Sequence, residues 1–92
     1  MKKKRKIPVI SFNELELKTK KPQVYRSLIE GITEAFETKS DEIKLCEVKY
    51  ANTYLTVHKD NWSGSLAKAM DFYIEKEEYE QCSKIKQLID KL

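Results

Sequence analysis

The stretch EIKLCEVKYANTYLTVHKDNW, residues 42–62, decides how this 92-residue chain is read. β-Branched and aromatic residues flank a short polar link at Ala51-Asn52. Thr53, Leu55 and Val57 alternate with Tyr54, Thr56 and His58, the two-residue period of a strand with distinct faces. Before the link, Ile43 and Leu45 point one way, and Cys46, Val48 and Tyr50 the other. That change of phase predicts a β-bulge near Cys46. The stretch therefore reads as a β-hairpin over about 42–59. Asn-Thr is not the favoured Asn-Gly, so the turn type stays open.

Helical patterns lie on both sides. Upstream, KKPQVYRSLIEGITEAFETKS carries Val24, Tyr25, Leu28, Ile29, Ile32, Ala35 and Phe36 at three- and four-residue spacing. This is one broad apolar stripe, and it predicts a helix over about 22–37. Pro22 suits its first position, where no N–H is needed. Gly31 falls on or beside the stripe and allows a close crossing. Downstream, Leu66, Ala69, Met70, Tyr73 and Ile74 make one helical set, with Ser63 or Asp60 as candidate cap. Tyr79, Cys82, Ile85, Leu88 or Ile89, and Leu92 make a second. Between them the apolar phase shifts near Lys76–Glu78, with neither Gly nor Pro to mark a break. Residues 63–92 are either one long helix or two with a corner.

The N-terminal end is different. Met1 is followed by Lys2, Lys3, Lys4, Arg5 and Lys6. Five adjacent cations repel and bury nothing, so residues 1–6 are expected to be a disordered basic arm. Ile7, Val9 and Ser11 then alternate with Pro8, Ile10 and Phe12, either an edge strand or an extended segment on the core. Asn13 precedes ELEL, a candidate short turn.

The net charge is +3, and the arm alone supplies five positive charges, so the remainder carries −2. Basic character belongs to a tail, not to a folded face. Two glycines and two prolines mean few tight turns, which argues against a many-stranded sandwich. No segment approaches the ~18 apolar residues of a membrane span, and Met1 leads into charge, unlike a secretory signal. The expectation is one cytoplasmic α+β domain over 7–92 with reduced thiols. In it a small antiparallel hairpin or sheet is packed by the N-terminal helix and the C-terminal helices.

Residues 66–92 resemble the UVR motif, the short helical hairpin at the end of UvrB, inside UvrC and in some Clp-associated proteins. Leu66 and Met70 take its first two places, Tyr79-Glu80 its aromatic-Glu pair nine residues on, and Cys82-Ser83 its small pair. Ile85, Ile89 and Leu92 take its later apolar places. Lys86-Gln87 replaces the family's Arg-Asp pair, Tyr73-Ile74 its usual small residues, and Glu77 its corner aliphatic. The resemblance implies a helical hairpin that works by pairing apolar faces with another protein or a second copy. It nominates Leu66, Met70, Tyr79, Ile85, Ile89 and Leu92 as a docking face, or else as the domain's own core.

No catalytic set stands out. His58 is the single histidine and Cys46 and Cys82 the only cysteines, too few for a four-ligand zinc site. A thiol–imidazole pair is sound chemistry, but free cysteines on apolar faces usually act as small hydrophobes. No Gly-rich phosphate loop occurs. No cofactor or metal is expected. The leading expectation is a non-enzymatic accessory protein working by association, of the size and lysine-rich character seen in bacteriophage accessory or virion proteins. The alternative is nucleic-acid contact through Lys2, Lys3, Lys4, Arg5 and Lys6, with strong salt dependence. Tyr50, Tyr54 and Trp62 are candidates for a base-stacking platform, or for core.

Overall fold

A computed structural model describes residues 7–11, 13 and 18–92. The basic arm at 2–6, Phe12 and the ELEL segment at 14–17 lie outside the described residues. The elements run β1 (Val9–Ile10), α1 (Lys21–Thr38), β2 (Glu42–Val48), β3 (Thr53–His58), a 3-10 turn (Lys59–Asn61), α2 (Trp62–Glu75) and α3 (Tyr79–Lys91). This is the expected α+β order of arm strand, helix, hairpin and two helices.

One part of the expectation needs correction. The sheet is mixed, not purely antiparallel. Its order is β1-β2-β3, with β2 and β3 antiparallel and β1 parallel to β2. The reason is the connection. The chain leaves β1, crosses as α1 and re-enters as β2, and a helical crossover returns the second strand in the same direction as the first.

The bulge lies where the phase change put it. Lys44 pairs with Thr56 and Cys46 with Leu55, so Leu45 is the extra residue. It brings Ile43, Cys46 and Val48 to one face although their numbers differ by odd and even steps. Their partners there are Val57, Leu55 and Thr53. The Leu45 carbonyl accepts a 2.6 Å bond from the Ser27 hydroxyl on α1. Ser27 is buried, so each group satisfies the other where the ladder is interrupted.

The core forms around α1, which lies on the inner face of β2 and carries α2 and α3, packed on it and on each other. Leu28, Ile29, Ile32 and Ala35 of α1 pack with Ile43, Trp62, Leu66, Ala69, Tyr73, Ile85 and Leu88. Tyr25 and Phe36 extend this contact from α1. Tyr25 meets Phe72 at a tilt with ring centroids 5.0 Å apart, and Phe36 meets Trp62 edge-on at 5.8 Å, spacings that add to simple burial.

Both helix ends within the fold use the left-handed conformation without glycine. Lys39 (φ 57°) ends α1, and the Ser40 N–H returns to the Ala35 carbonyl at 2.9 Å. At the end of α2, Glu77 has φ 58°. The Glu78 N–H reaches the Tyr73 carbonyl and the Glu77 N–H the Ile74 carbonyl, at 2.9 and 3.0 Å. This pair of bonds is a Schellman motif, which stops one helix and re-aims the chain into the next. Residues 62–91 are therefore two helices, not one. Neither candidate cap is used: α2 starts at Trp62 directly from the 3-10 turn, with no side-chain cap bond.

Candidate functional site

The six residues nominated for docking do not form one surface. Leu66 and Ile85 are 0% exposed, locked in the chain's own core. Met70 and Ile89 are half-buried against that core. Tyr79 (63%) and Leu92 (53%) are exposed, but they bracket α3. At 1.5 Å per residue they stand about 20 Å apart along the helix. The helical hairpin is present, and its apolar stripe is spent on α1. The physical reason is stoichiometric: a two-stranded hairpin with one added short strand cannot cover α1, so α2 and α3 must.

The cysteine–histidine constellation is not assembled. Cys46 is on the inner face of β2 and fully buried, whereas His58 pairs with Glu42 on the outer face. Cys82 lies on α3 beside the Met70 carbonyl, with Sγ 3.9 Å from it. His58 is engaged locally: Nδ1 accepts the Asp60 N–H at 3.3 Å and stands 3.4 Å from the Asp60 carboxylate. Burial pushes the Cys46 thiol above its usual value, away from the thiolate a nucleophile needs. Among the described residues, no group of three or more His, Cys, Asp and Glu side chains is placed to hold a metal ion. Among them, no helix is long and apolar enough to cross a membrane.

Burial makes two groups weaker acids, and this has a consequence for pH. Cys46 is raised from 9.0 by desolvation. Tyr73 is raised from 10.0, first by desolvation and then by the nearby negative charge of Glu78. In both cases the folded chain holds its proton to higher pH than the unfolded chain. Stability from these groups is complete below the unfolded values and falls as pH rises through the folded ones. Melting temperature should therefore be flat from pH 7 to about 9 and decline above it. Cys46→Ala should move the onset toward pH 10, at some loss of overall stability. An onset that does not move would show that Cys46 ionises freely in the folded state.

The stacking platform is likewise divided. Trp62 is buried, and its indole N–H donates to the Val57 carbonyl at 2.9 Å. Tyr50 and Tyr54 are exposed, each with a lysine ammonium over its ring: Lys49 at 5.3 Å and Lys44 at 4.6 Å. Tyr50 is 91% exposed at the hairpin tip and has φ 68°, with Asn52 at 52°. A left-handed aromatic residue is unusual and costs about 1 kcal/mol.

What sequence patterning did not locate is the open side of the sheet. α1 covers β2, and β3 lies beyond the helices except at its Trp62 end. Leu55 points to the inner face beside Cys46 and is still 41% exposed. On the outer face Val9, Glu47 and Tyr54 lie side by side across the three strands, and Val9 and Tyr54 are exposed. The six residues TYLTVH thus form an edge strand exposed along nearly its whole length, half-buried only at Val57. The signal available in the sequence was negative: no proline, glycine or lysine interrupts Thr53–His58.

Comparison with protein-family models, curated proteins and solved structures finds no match to this chain.

Proposed function

We propose that this chain is a small non-enzymatic accessory protein that acts by protein association, and that it docks through the open edge of β3. The observation that carries this reading is the combination at Thr53–His58. Among the described residues no strand pairs with the outer edge of β3, and that edge coincides with exposed apolar side chains on both faces, Tyr54 outside and Leu55 inside. Such an edge is a template for strand addition, in which main-chain bonds supply affinity and alternate side chains supply specificity. The separation of His58, Cys46 and Cys82 supports a non-enzymatic role.

Nucleic-acid contact is the second reading, and it rests on Lys2–Lys6. On the outer sheet face Lys44 alternates with Glu42 and Glu47, so the folded part adds little attraction for phosphates.

The test is site-specific photo-crosslinking. A benzoylphenylalanine at Tyr54 should give a covalent adduct, with a second copy or another protein, identified by mass spectrometry. The same group at Glu37, exposed on α1, should give none. Equal adducts at both positions, or none at either, would remove the β3 edge as the docking site.

A further inference from the structure

We infer that the occupant of the β3 edge is β3 of a second copy of this chain, paired antiparallel about a two-fold axis at Thr56 to give a continuous six-stranded sheet. This rests on the docking reading above and names its partner.

The first argument is the contrast between the two edges of the sheet. The β1 edge is blunted in three ways. It is two residues long, Pro8 precedes it, and its outward carbonyl is occupied. The Pro8 and Ile10 carbonyls accept from Glu47 and Lys49 of the β2 side, which leaves the Val9 carbonyl facing out. The Lys20 ammonium reaches it at 3.2 Å. Short length, proline and lysine are the devices by which sheets refuse a further strand. The β3 edge has none of them. It is six residues long, it carries no proline or lysine, and the sheet's bulge is on β2.

The second argument is self-complementarity. The Lys59 N–H donates to the Asp41 carbonyl at 2.7 Å, which sets the alternation along the ladder. Lys59 and Val57 turn their backbone groups toward β2, so Tyr54, Thr56 and His58 turn theirs outward. A two-fold at Thr56 sets Thr56 against itself and Tyr54 against His58 of the second copy. The Thr56 pair then forms two bonds and each Tyr54–His58 pair one, from the His58 N–H to the Tyr54 carbonyl, about four main-chain bonds in all, because the His58 carbonyl caps the 3-10 turn. Moving the axis to Leu55 leaves His58 overhanging. Moving it to Val57 sets Tyr54 against Asp60 and leaves Thr53 unpaired.

The side chains agree with the Thr56 register. On the inner face Leu55 comes beside Val57 of the second copy, twice, and covers apolar surface that the helices leave open. On the outer face the Tyr54 ring meets the His58 imidazole. Lys59 comes beside Thr53, so no like charges meet across the axis. An edge of this length is at the small end of stable interfaces, so assembly should depend on concentration in the micromolar range.

The experiment is a charge exchange at the axis, read by light-scattering mass on the full chain. Wild type should shift from monomer to dimer mass between about 1 and 300 µM. Thr56 is exposed, so Thr56→Lys and Thr56→Glu should each fold, with unchanged circular dichroism, and remain monomeric. Mixed one to one, they should recover dimer mass and lose it again at high salt. Three results would overturn the inference. One is a wild type that is monomeric throughout. Another is a dimer indifferent to Thr56→Lys. The third is single variants that dimerise as well as their mixture. A monomer whose Tyr54 position still cross-links to a different protein would overturn the second copy alone and leave the docking reading standing. A monomer with no adduct would remove both.

Discussion

Ile85→Asp is expected to unfold the chain. Ile85 is 0% exposed and sits between α1, α2 and α3. Replacing it removes about 2–3 kcal/mol of apolar burial and places a carboxylate where no cation is among its core neighbours. An unpaired buried charge adds several kcal/mol more or forces the group to protonate. A domain of this size has about 5–14 kcal/mol in all, so the sum consumes most or all of it. Circular dichroism at 25 °C should lose most of its helical signal. Tyr79→Asp, six residues away on an exposed position, should change stability by under about 0.5 kcal/mol. A folded Ile85→Asp variant with near-normal melting would mean that α3 is detachable from the core. The docking role would then return to the C-terminal hairpin.

That contrast shows what an apolar stripe can and cannot reveal. Leu66, Met70, Tyr79, Ile85, Ile89 and Leu92 share a helical spacing, and spacing alone is the same for a residue facing its own core and one facing a partner. Only the location of α1 separates Ile85 from Tyr79. The long periodic elements were legible. The stripe from Val24 to Phe36 is α1, the alternation at 53–58 is β3, and the phase slip at Leu45-Cys46 is the bulge. The corner at Glu77 was legible only as an ambiguity. Its stop signal is normally glycine, and here a glutamate takes the left-handed position because two backbone bonds and the packing of α3 on α2 outweigh about 1 kcal/mol of strain.

The parallel placement of β1 and the openness of β3 were not legible, for a shared reason. Both follow from which strand α1 covers. Two residues, Val9 and Ile10, carry too little pattern to fix a direction. Leu55 looks like a core residue by alternation, and only tertiary structure leaves it 41% exposed. Sequence patterning assigns faces; it does not assign how far the covering layer extends.

Trp62→Ala should have the next largest effect, about 3–5 kcal/mol. Trp62 is 2% exposed and packs edge-on against Phe36 of α1, so truncation opens a large cavity at the junction of α1, α2 and the hairpin. Its indole N–H also holds the Val57 carbonyl. Val57 faces β2 in the ladder, so without the indole this carbonyl is half-satisfied, not orphaned. Trp62→Phe keeps most of the ring and loses only that bond, and should cost about 1–2 kcal/mol. Urea unfolding followed by circular dichroism would measure both. A Phe variant as damaged as the Ala variant would mean that the hydrogen bond, not ring volume, dominates. The distinction bears on β3. Trp62 is the side chain that ties this strand's C-terminal end to the helices, while Leu55 toward its other end stays uncovered. Loosening the tie should free the Val57–His58 end from the helical layer. If β3 pairs with a second copy as inferred, Trp62→Phe should weaken dimerisation more than its modest effect on folding would suggest, because an edge must be held straight before another strand can add to it.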